Sequence, residues 1–397
     1  MTTTIKTIPK EYKQTEIGVI PADWDVKHLG DIGDSIIGLT YSPSDVVEYG
    51  KLVHRSSNIQ NNQLSYKDNV YVNKDISEKL TLRKNDILVC VRNGSRDLIG
   101  KSALIEGKAV GETFGAFMSI FRTDKCQKFI YYLFLSNIIQ RQINQSLGAT
   151  INQITNRTLD DFQIPYPKNP DEQIVIADVI SDTDEFTQKL ESLIEKKKKI
   201  KQGVMQELLT SRRRLPGFNG IWEKKKISDV CGKITTGKLN ANAMIENGEY
   251  RFYTCAKDFY QIDRYAFDTE ALLVSGNGAN VGYIHYYKGK FNAYQRTYVL
   301  SDFSADIHFV KLFMDRNLQE RIRVEVNAGN TPYITMGTLT EMQIMVPPTK
   351  DEQAAISKIL SEMDTEIERL ESELTKYRNI KQGMMQTLLT GKIRLIK

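Results

Sequence analysis

Two loops in this 397-residue chain carry the side chains best suited to chemistry. They are Arg92-Asn93-Gly94-Ser95-Arg96 and Ser275-Gly276-Asn277-Gly278-Ala279-Asn280, each after an apolar, strand-like run. Arg and Asn form bidentate contacts with guanine and adenine edges, and glycine lets a backbone approach a duplex closely. Gln295-Arg296 follows another such run. Asn and Gly also make turns, and for any single residue that is the commoner use. The case for recognition chemistry rests on similar loops recurring at similar places.

Catalytic alternatives fail on spacing. The stretch Gly94 to Ser102 has five residues between its glycines where a phosphate loop has four, and no hydrophobic helix follows. Gly276 to Gly282 lies between short β runs, which predicts a strained turn rather than a cofactor loop. There is no N-P-P-[YF] tetrad of the amino-methyltransferase kind, no H-E-x-x-H and no G-x-S-x-G. Four cysteines (Cys90, Cys126, Cys231, Cys255) include no C-x-x-C pair, and the four histidines are dispersed. That argues against a disulfide framework and a zinc site.

The elements that would position the loops are written twice. The stretch from Asp171 to Leu215 and the stretch from Asp351 to Leu395 match at 21 of 45 positions without a gap. At the same 180-residue offset Phe129 aligns with Phe309, Leu159 with Leu339, Ile164 with Ile344 and Pro167 with Pro347. The front edges Trp24–Ile32 and Trp222–Val230 align at another offset, and the middles diverge. The order is therefore variable module, long helix, variable module, long helix. Within each module β-like runs come first: Lys51–His54, Ile87–Val91, Leu272–Ser275, and a hairpin expected at Tyr283–Tyr287 and Phe291–Tyr294 around Lys288-Gly289-Lys290. A helix is expected near Phe129–Gln145 and near Phe309–Val326. Proline-containing exits then stop any helix before Asp171 and Asp351, which suit a first turn or N-cap.

The long helices have heptad character. Ile356, Leu360, Met363, Ile367, Leu370, Leu374, Tyr377, Met384 and Leu388 form one seam, and Ile176, Ile180, Leu190, Ile194, Val204 and Leu208 the other. Val179, Phe186, Leu193 and Ile200 widen the second seam. So narrow a stripe wants another helix, and the nearest is the other copy, packed antiparallel. A helix of about 40 residues is about 60 Å long, so modules at its ends are expected to stand that far apart.

Composition is that of an ordinary soluble protein, at 41% hydrophobic and 26% charged. The N-terminus lacks a signal-type apolar core, and the most apolar stretch, Phe129–Ile139, is too short to span a bilayer. A cytoplasmic location without membrane contact is expected. The net charge of +5 is compatible with nucleic acid. Basic residues clump at Lys196–Lys199 with Lys201, at Arg212–Arg214 and at Lys224–Lys226. A solvated helix face and a phosphate- or partner-facing patch are both open readings of these clumps.

The chain resembles the specificity subunit of type I restriction–modification systems. The residues that carry the resemblance are Gly18-Val19-Ile20-Pro21-x-x-Trp24, the proline exits leading to Asp-Glu-Gln at 171–173 and 351–353, and Lys-Gln-Gly…Met-Gln-x-Leu-Leu-Thr at 201–210 and 381–390. The loops Gly148-Ala149-Thr150 and Ala328-Gly329-Asn330-Thr331 also fit. The resemblance covers essentially the whole chain. It implies an α+β fold with target-recognition domains at 1–168 and 213–348 and spacer helices at 169–212 and 349–397. The helices form an antiparallel coiled coil, and the arrangement is pseudo-twofold and pseudo-circular. It further implies that each module reads one half of a split, asymmetric site on double-stranded DNA. The helices set the gap and dock two modification subunits, which supply S-adenosylmethionine and methylate adenine. A restriction (endonuclease/translocase) subunit can join them. The chain itself binds no cofactor and catalyses nothing.

On this basis the candidate DNA contacts are Arg55, Asn58, Arg92, Asn93, Ser95, Arg96, Thr150, Asn152, Lys257, Asn277, Asn280, Gln295, Arg296, Thr331 and Tyr333. The seam residues named above are the candidates for coiled-coil packing and subunit docking. Two other readings remain at this stage: a scaffold that binds proteins or carbohydrate, and an enzyme with an unfamiliar site. The termini carry one more expectation. Ile20-Pro21-x-x-Trp24 looks like the continuation that Arg394-Leu395 lacks, by comparison with Arg214-Leu215-Pro216 to Trp222.

Overall fold

Each residue of the repeated Asp-Glu-Gln has a separate structural task. The structure, a computed structural model, describes residues 8–148, 152–325 and 333–396. The long helices run Pro170–Leu208 and Lys350–Leu388. Asp171 and Asp351 lie in their first turns, where a carboxylate favours the helix dipole. The side chains that receive first-turn N–H groups lie just before them: Asp171 N–H donates to Asn169 Oδ1 (2.9 Å) and Glu352 N–H to Thr349 Oγ1 (3.3 Å). Gln173 Nε2 donates to the Pro167 carbonyl (2.8 Å) and Gln353 Nε2 to that of Pro347 (2.9 Å), which fastens each helix to its proline exit.

The glutamates are buried, and each closes a knot of three chain segments. Glu172 accepts from Trp24 Nε1 (3.1 Å) and from the Arg394 guanidinium, which also reaches Asp23 at 3.0 Å. Glu352 accepts from Trp222 Nε1 (3.4 Å) and from Arg214 Nε and Nη2 (2.6 and 2.7 Å). A buried carboxylate is tolerable because a bidentate guanidinium and an indole N–H replace its water. Arg394 holds the Asp23 carboxyl below the usual carboxylate range, chiefly by hydrogen bonding. Tyr12 Oη adds bonds to the Gly391 and Lys392 carbonyls at 3.3 Å. The knot therefore joins the Trp24 segment to the Arg394 segment, as Trp222 is joined to Arg214.

Two compact units result, Met1–Glu191 with Ser372–Lys397, and Ser192–Glu371. Each contains one module, the first part of one long helix and the last part of the other. In the first unit Asp184 pairs with Lys381 (2.5 Å), Glu191 with Arg378 (2.6 Å), and the Phe186 and Tyr377 rings meet at 4.5 Å. In the second, Lys197 pairs with Glu366 (2.8 Å), Lys198 with Glu371 (2.6 Å), and Lys201 with Asp364. Within each unit the order is reversed, from Asp184–Lys381 to Glu191–Arg378 and from Lys197–Glu366 to Lys201–Asp364, with Lys198–Glu371 reaching out of step, so the helices pack antiparallel. Of the seam, Ile176, Ile180, Leu190, Ile194, Leu208, Ile356, Leu360, Ile367, Leu370, Leu374 and Leu388 are buried, and Val204, Met363, Tyr377 and Met384 are half-buried.

The modules share a topology that their sequences hide. In the first unit the sheet order is Ser102–Leu104, Ile87–Cys90, Met118–Arg122, Asp34–Ile37, and a second sheet runs Thr113–Phe114, Lys51–His54, Tyr71–Val72, Val46–Val47. In the second unit one six-stranded sheet runs Cys231–Thr236, Thr297–Phe303, Phe267–Ser275, Ile284–Ala293, Tyr250–Tyr253, Tyr260–Ile262. Register matches: Val89 faces Ser119, which faces Ile37, as Val274 faces Tyr298, which faces Thr236. The parallel pair Phe114–His54 matches Ala293–Tyr253. Each module closes with a two-stranded ladder, Asp25–His28 on Gln163–Tyr166 and Glu223–Lys226 on Gln343–Val346.

Two expectations are corrected, and the basic clumps gain partners. Lys288-Gly289-Lys290 is no hairpin turn. It lies inside the strand Ile284–Ala293, with Gly289 at φ +131° opposite Thr269 and Lys288 opposite Glu270. The glycine lets the strand bend without ending it. The helix expected at Phe129–Gln145 is two, Gln127–Phe134 and Asn137–Ser146, because Ser136 Oγ accepts the Ile138 N–H and starts a new helix. Finally, most of the clumped cations have carboxylates beside them: Lys199 pairs with Glu195 and Lys226 with Glu341, besides those already named. These clumps lie on paired helix faces and ladder ends.

Candidate nucleic-acid interface

The two loops rich in Arg, Asn and Gly leave the same end of the same strand. Val91 N–H donates to the Phe117 carbonyl (3.0 Å) and Gly276 N–H to that of Arg296 (2.8 Å). Val91 O then accepts Ile154 N–H (2.8 Å), and Gly276 O accepts Ile334 N–H (2.9 Å). Isolated bridges follow, Arg92 with Gln153 and Asn277 with Tyr333. Each loop returns at a glycine whose N–H reaches the strand end, Gly100 to Cys90 O and Gly282 to Ser275 O, both at 2.8 Å. A side chain is strained at both glycines: φ is +83° and +78°, and a Cβ would press on the Ile143 tip at 2.4 Å or the Ile322 tip at 2.6 Å. Both units thus present one edge built from a strand end, a glycine-closed loop and a crossing strap.

The side chains on that frame differ. In the first unit Arg92 is exposed, with its guanidinium 5.1 Å from the Phe117 ring centroid. Asn93 Nδ2 donates to Ser56 Oγ (3.0 Å), and its Oδ1 accepts Ser95 N–H (3.0 Å). Asn152 Nδ2 donates to Gly94 O (3.1 Å). Those amides hold the loop, while Ser95 is exposed on it. Arg96, also exposed, donates to Asn144 O at 3.0 Å and so leans on the neighbouring helix. Arg55 pairs with Asp68 at 2.8 Å. Asn58 is a correction: it is wholly buried, accepting from Arg55 N–H and donating to the Ser65 and Asp68 carbonyls, so it shapes a turn and touches no ligand.

In the second unit Lys257, Gln295, Arg296 and Tyr333 are exposed and Asn277 is half-buried. Asn280 Nδ2 donates to Cys255 O (3.1 Å), tying the Lys257 loop to the edge. Thr150 and Thr331 lie outside the described residues. Reading single loops missed Phe117, the positional equivalent of Arg296 at an offset of 179; the 180-residue offset of the repeat lands one residue away, and the backbone hydrogen bonds make the match. It also missed Arg251, which lies 4.2 Å from the exposed Phe259 ring and 4.6 Å from that of Tyr287. Neither had a signal in local composition.

The site offers contact chemistry rather than bond-making chemistry. Burial pushes the Cys90 and Cys231 thiols up to about 11, so neither is a thiolate near neutral pH. No His/Cys/Asp/Glu cluster able to hold a metal occurs among the described residues, and none of their helices is long and apolar enough to cross a membrane.

Comparison with known proteins agrees with this frame. The profile described as type I restriction modification DNA specificity domain matches twice, at residues 21–202 and 219–376. The chain belongs to that family, the DNA specificity subunits of type I restriction–modification systems with two target-recognition domains. It is 34% identical to the type I restriction enzyme EcoDI specificity subunit of Escherichia coli over 43% of this chain, a match that spans only 37% of that protein. It is 27% identical to the putative type I restriction enzyme MjaX specificity subunit of Methanocaldococcus jannaschii over 97% of both chains. The fold is like that of the S subunit of a type I system from M. genitalium, with a TM-score of 0.64 and 19% identity over 92% of this chain and 96% of the other.

Proposed function

We propose that each unit reads one half of a bipartite, asymmetric DNA site through the edge at Arg92 or Asn277, and that the chain serves a complex that methylates adenine at N6. The observation that carries this reading is one backbone frame bearing unlike side chains at matching positions: Arg92 against Asn277, Phe117 against Arg296, Gln153 against Tyr333. Equal frames suit equal approach to DNA, and unlike side chains suit unlike base sequences. In this reading the long helices set the gap and dock two modification subunits, which hold S-adenosylmethionine, and a restriction subunit can join. The buried seam residues face the partner helix, so docking falls to exposed apolar residues at the seam's margin, such as Leu193, Ile200 and Ile380. The complex is cytoplasmic. The test is co-expression with the modification subunit in a methylation-free host, followed by single-molecule methylome sequencing. A split, asymmetric, N6-methyladenine motif is expected; a continuous palindrome, or no motif, overturns the reading.

A further inference from the structure

A cavity of about 700 Å³ opens in the first unit beside its reading edge. Phe117, which carries Arg92 over its ring, stands at the rim, and Ser56, which receives the Asn93 amide, lies in the wall. The reading loop therefore rests on residues of the cavity wall. Tyr41, Phe117 and Met118 supply flat or polarisable apolar surface, and Leu39, Val46 and Val70 complete the apolar part. One wall is polar: Arg55, Ser57 and Asp68 lie together, with Arg55 Nη2 on Asp68 Oδ2 at 2.8 Å. Arg55 Nε and Ser57 Oγ are buried without a hydrogen-bond partner. Those two atoms are closed to solvent, so the accessible guanidinium edge and Asp68 are what this wall offers, beside the aromatic surface, to a ligand with a polar edge.

The ion pair argues against a phosphate, since Asp68 repels an anion and already occupies the guanidinium. It suits a flat neutral group with donors and acceptors on one edge, which is the description of a nucleobase. Local sequence provides the space. The first unit has Gly115-Ala116 where the second has Tyr294-Gln295, as the matching bridges Leu39–Gly115 and Leu239–Tyr294 show.

The geometry points to this cavity as a receptor for one base unstacked from the bound duplex, at a position other than the methylated adenine. The inference rests on the proposed reading of DNA by this unit. The test uses the complex of the full chain with its modification subunits. Each purine of the first half-site is replaced in turn by 2-aminopurine and each cytosine by pyrrolocytosine, and thymines are probed with permanganate. A base leaving the stack brightens, or becomes reactive, severalfold. One such position besides the methylated adenine is expected. It should be lost in Val46→Trp, which fills the cavity from an exposed wall residue, and in Gly115→Tyr, which borrows the second unit's residue. The methylated adenine should brighten as before. If no second position responds, or if the response survives both fillings in complexes that still bind and methylate, the inference is overturned while the reading of DNA stands. Loss of DNA binding by the unaltered complex would instead overturn the reading beneath it.

Discussion

The two recognition units are one design executed with different continuity. In the second unit Ile284–Ala293 is a single strand of 10 residues that bonds Phe267–Ser275 along one side and Tyr250–Tyr253 along the other. In the first unit the same path is two short strands, Ser102–Leu104 and Thr113–Phe114, parted by a turn at Gly107–Ala109. The six-stranded order thereby becomes two four-stranded sheets, with Val46–Val47 added as an extra edge strand. The frame near the long helices is invariant in kind: a Trp, a buried Glu and an Arg in both. The middles, which carry the loops, differ between the two units. A protein that must hold constant partners while changing what it reads gains from this division, because the loops alter without disturbing the anchor.

Exchanging the module between Trp222 and Pro347 for that of a relative is the largest test. It should replace one half of the methylated motif and leave the other intact, as methylome sequencing would report; a change in both halves breaks the independence of the units.

Next come the knots. Glu172→Ala and Glu352→Ala should each cost about 1 to 3 kcal/mol in urea denaturation, since each leaves a buried indole N–H unpaired and takes the carboxylate from a partly exposed guanidinium. Similar losses would confirm that the knots are equivalent, whereas a loss below about 1 kcal/mol at either would mean that one is ornamental.

Acid should separate the units. His54 is wholly buried where the second unit has Tyr253, and burial alone lowers its pKa to about 4. Above pH 6.5 both folded and unfolded histidine are neutral and nothing is lost. As pH falls from about 6.5 toward 4 the unfolded chain takes up a proton that the folded chain refuses, so stability falls, by at most about 3 kcal/mol. His54→Tyr should flatten that part of the pH–stability curve; an unchanged slope assigns the acid sensitivity elsewhere.

Smaller effects belong to single contacts. Arg92→Ala should relax one base position of the first half-site, and Asn277→Ala one of the second, each by about 1 to 3 kcal/mol in competition binding. A uniform loss over all sequences would make either residue a backbone contact instead. Smallest of all, Lys198→Ala removes a solvent-facing pair with Glu371 and should change stability by less than about 1 kcal/mol, with the salt slope of DNA binding unmoved. A shallower slope would restore the clump as a phosphate contact.

Much of the frame was legible because it obeys short-range rules. Heptad spacing located the seam, whose leucines and isoleucines are buried, and proline exits located the helix starts at Pro170 and Lys350. The tie between the Trp24 segment and Arg394 was legible from the repeat alone. The site was legible only in part. Arg92 and Asn277 could be singled out because loops of like composition recur, but Asn58 looked the same in sequence and is buried turn structure. Nothing in a string of residues says which amide of Asn93, Asn152 or Asn280 already has a partner in the fold.

The sequence by itself therefore determined the duplication, the two long helices, the family and the loops that differ. These follow from periodicity and from repetition, which survive in one dimension. Only the tertiary structure decided that the divergent middles share strand order and register, that the lysine clumps are largely paired, and that a cavity sits under Phe117. Those facts depend on partners far apart in the chain, such as Arg92 with Gln153 or Lys198 with Glu371, and no local pattern encodes which distant residue will arrive.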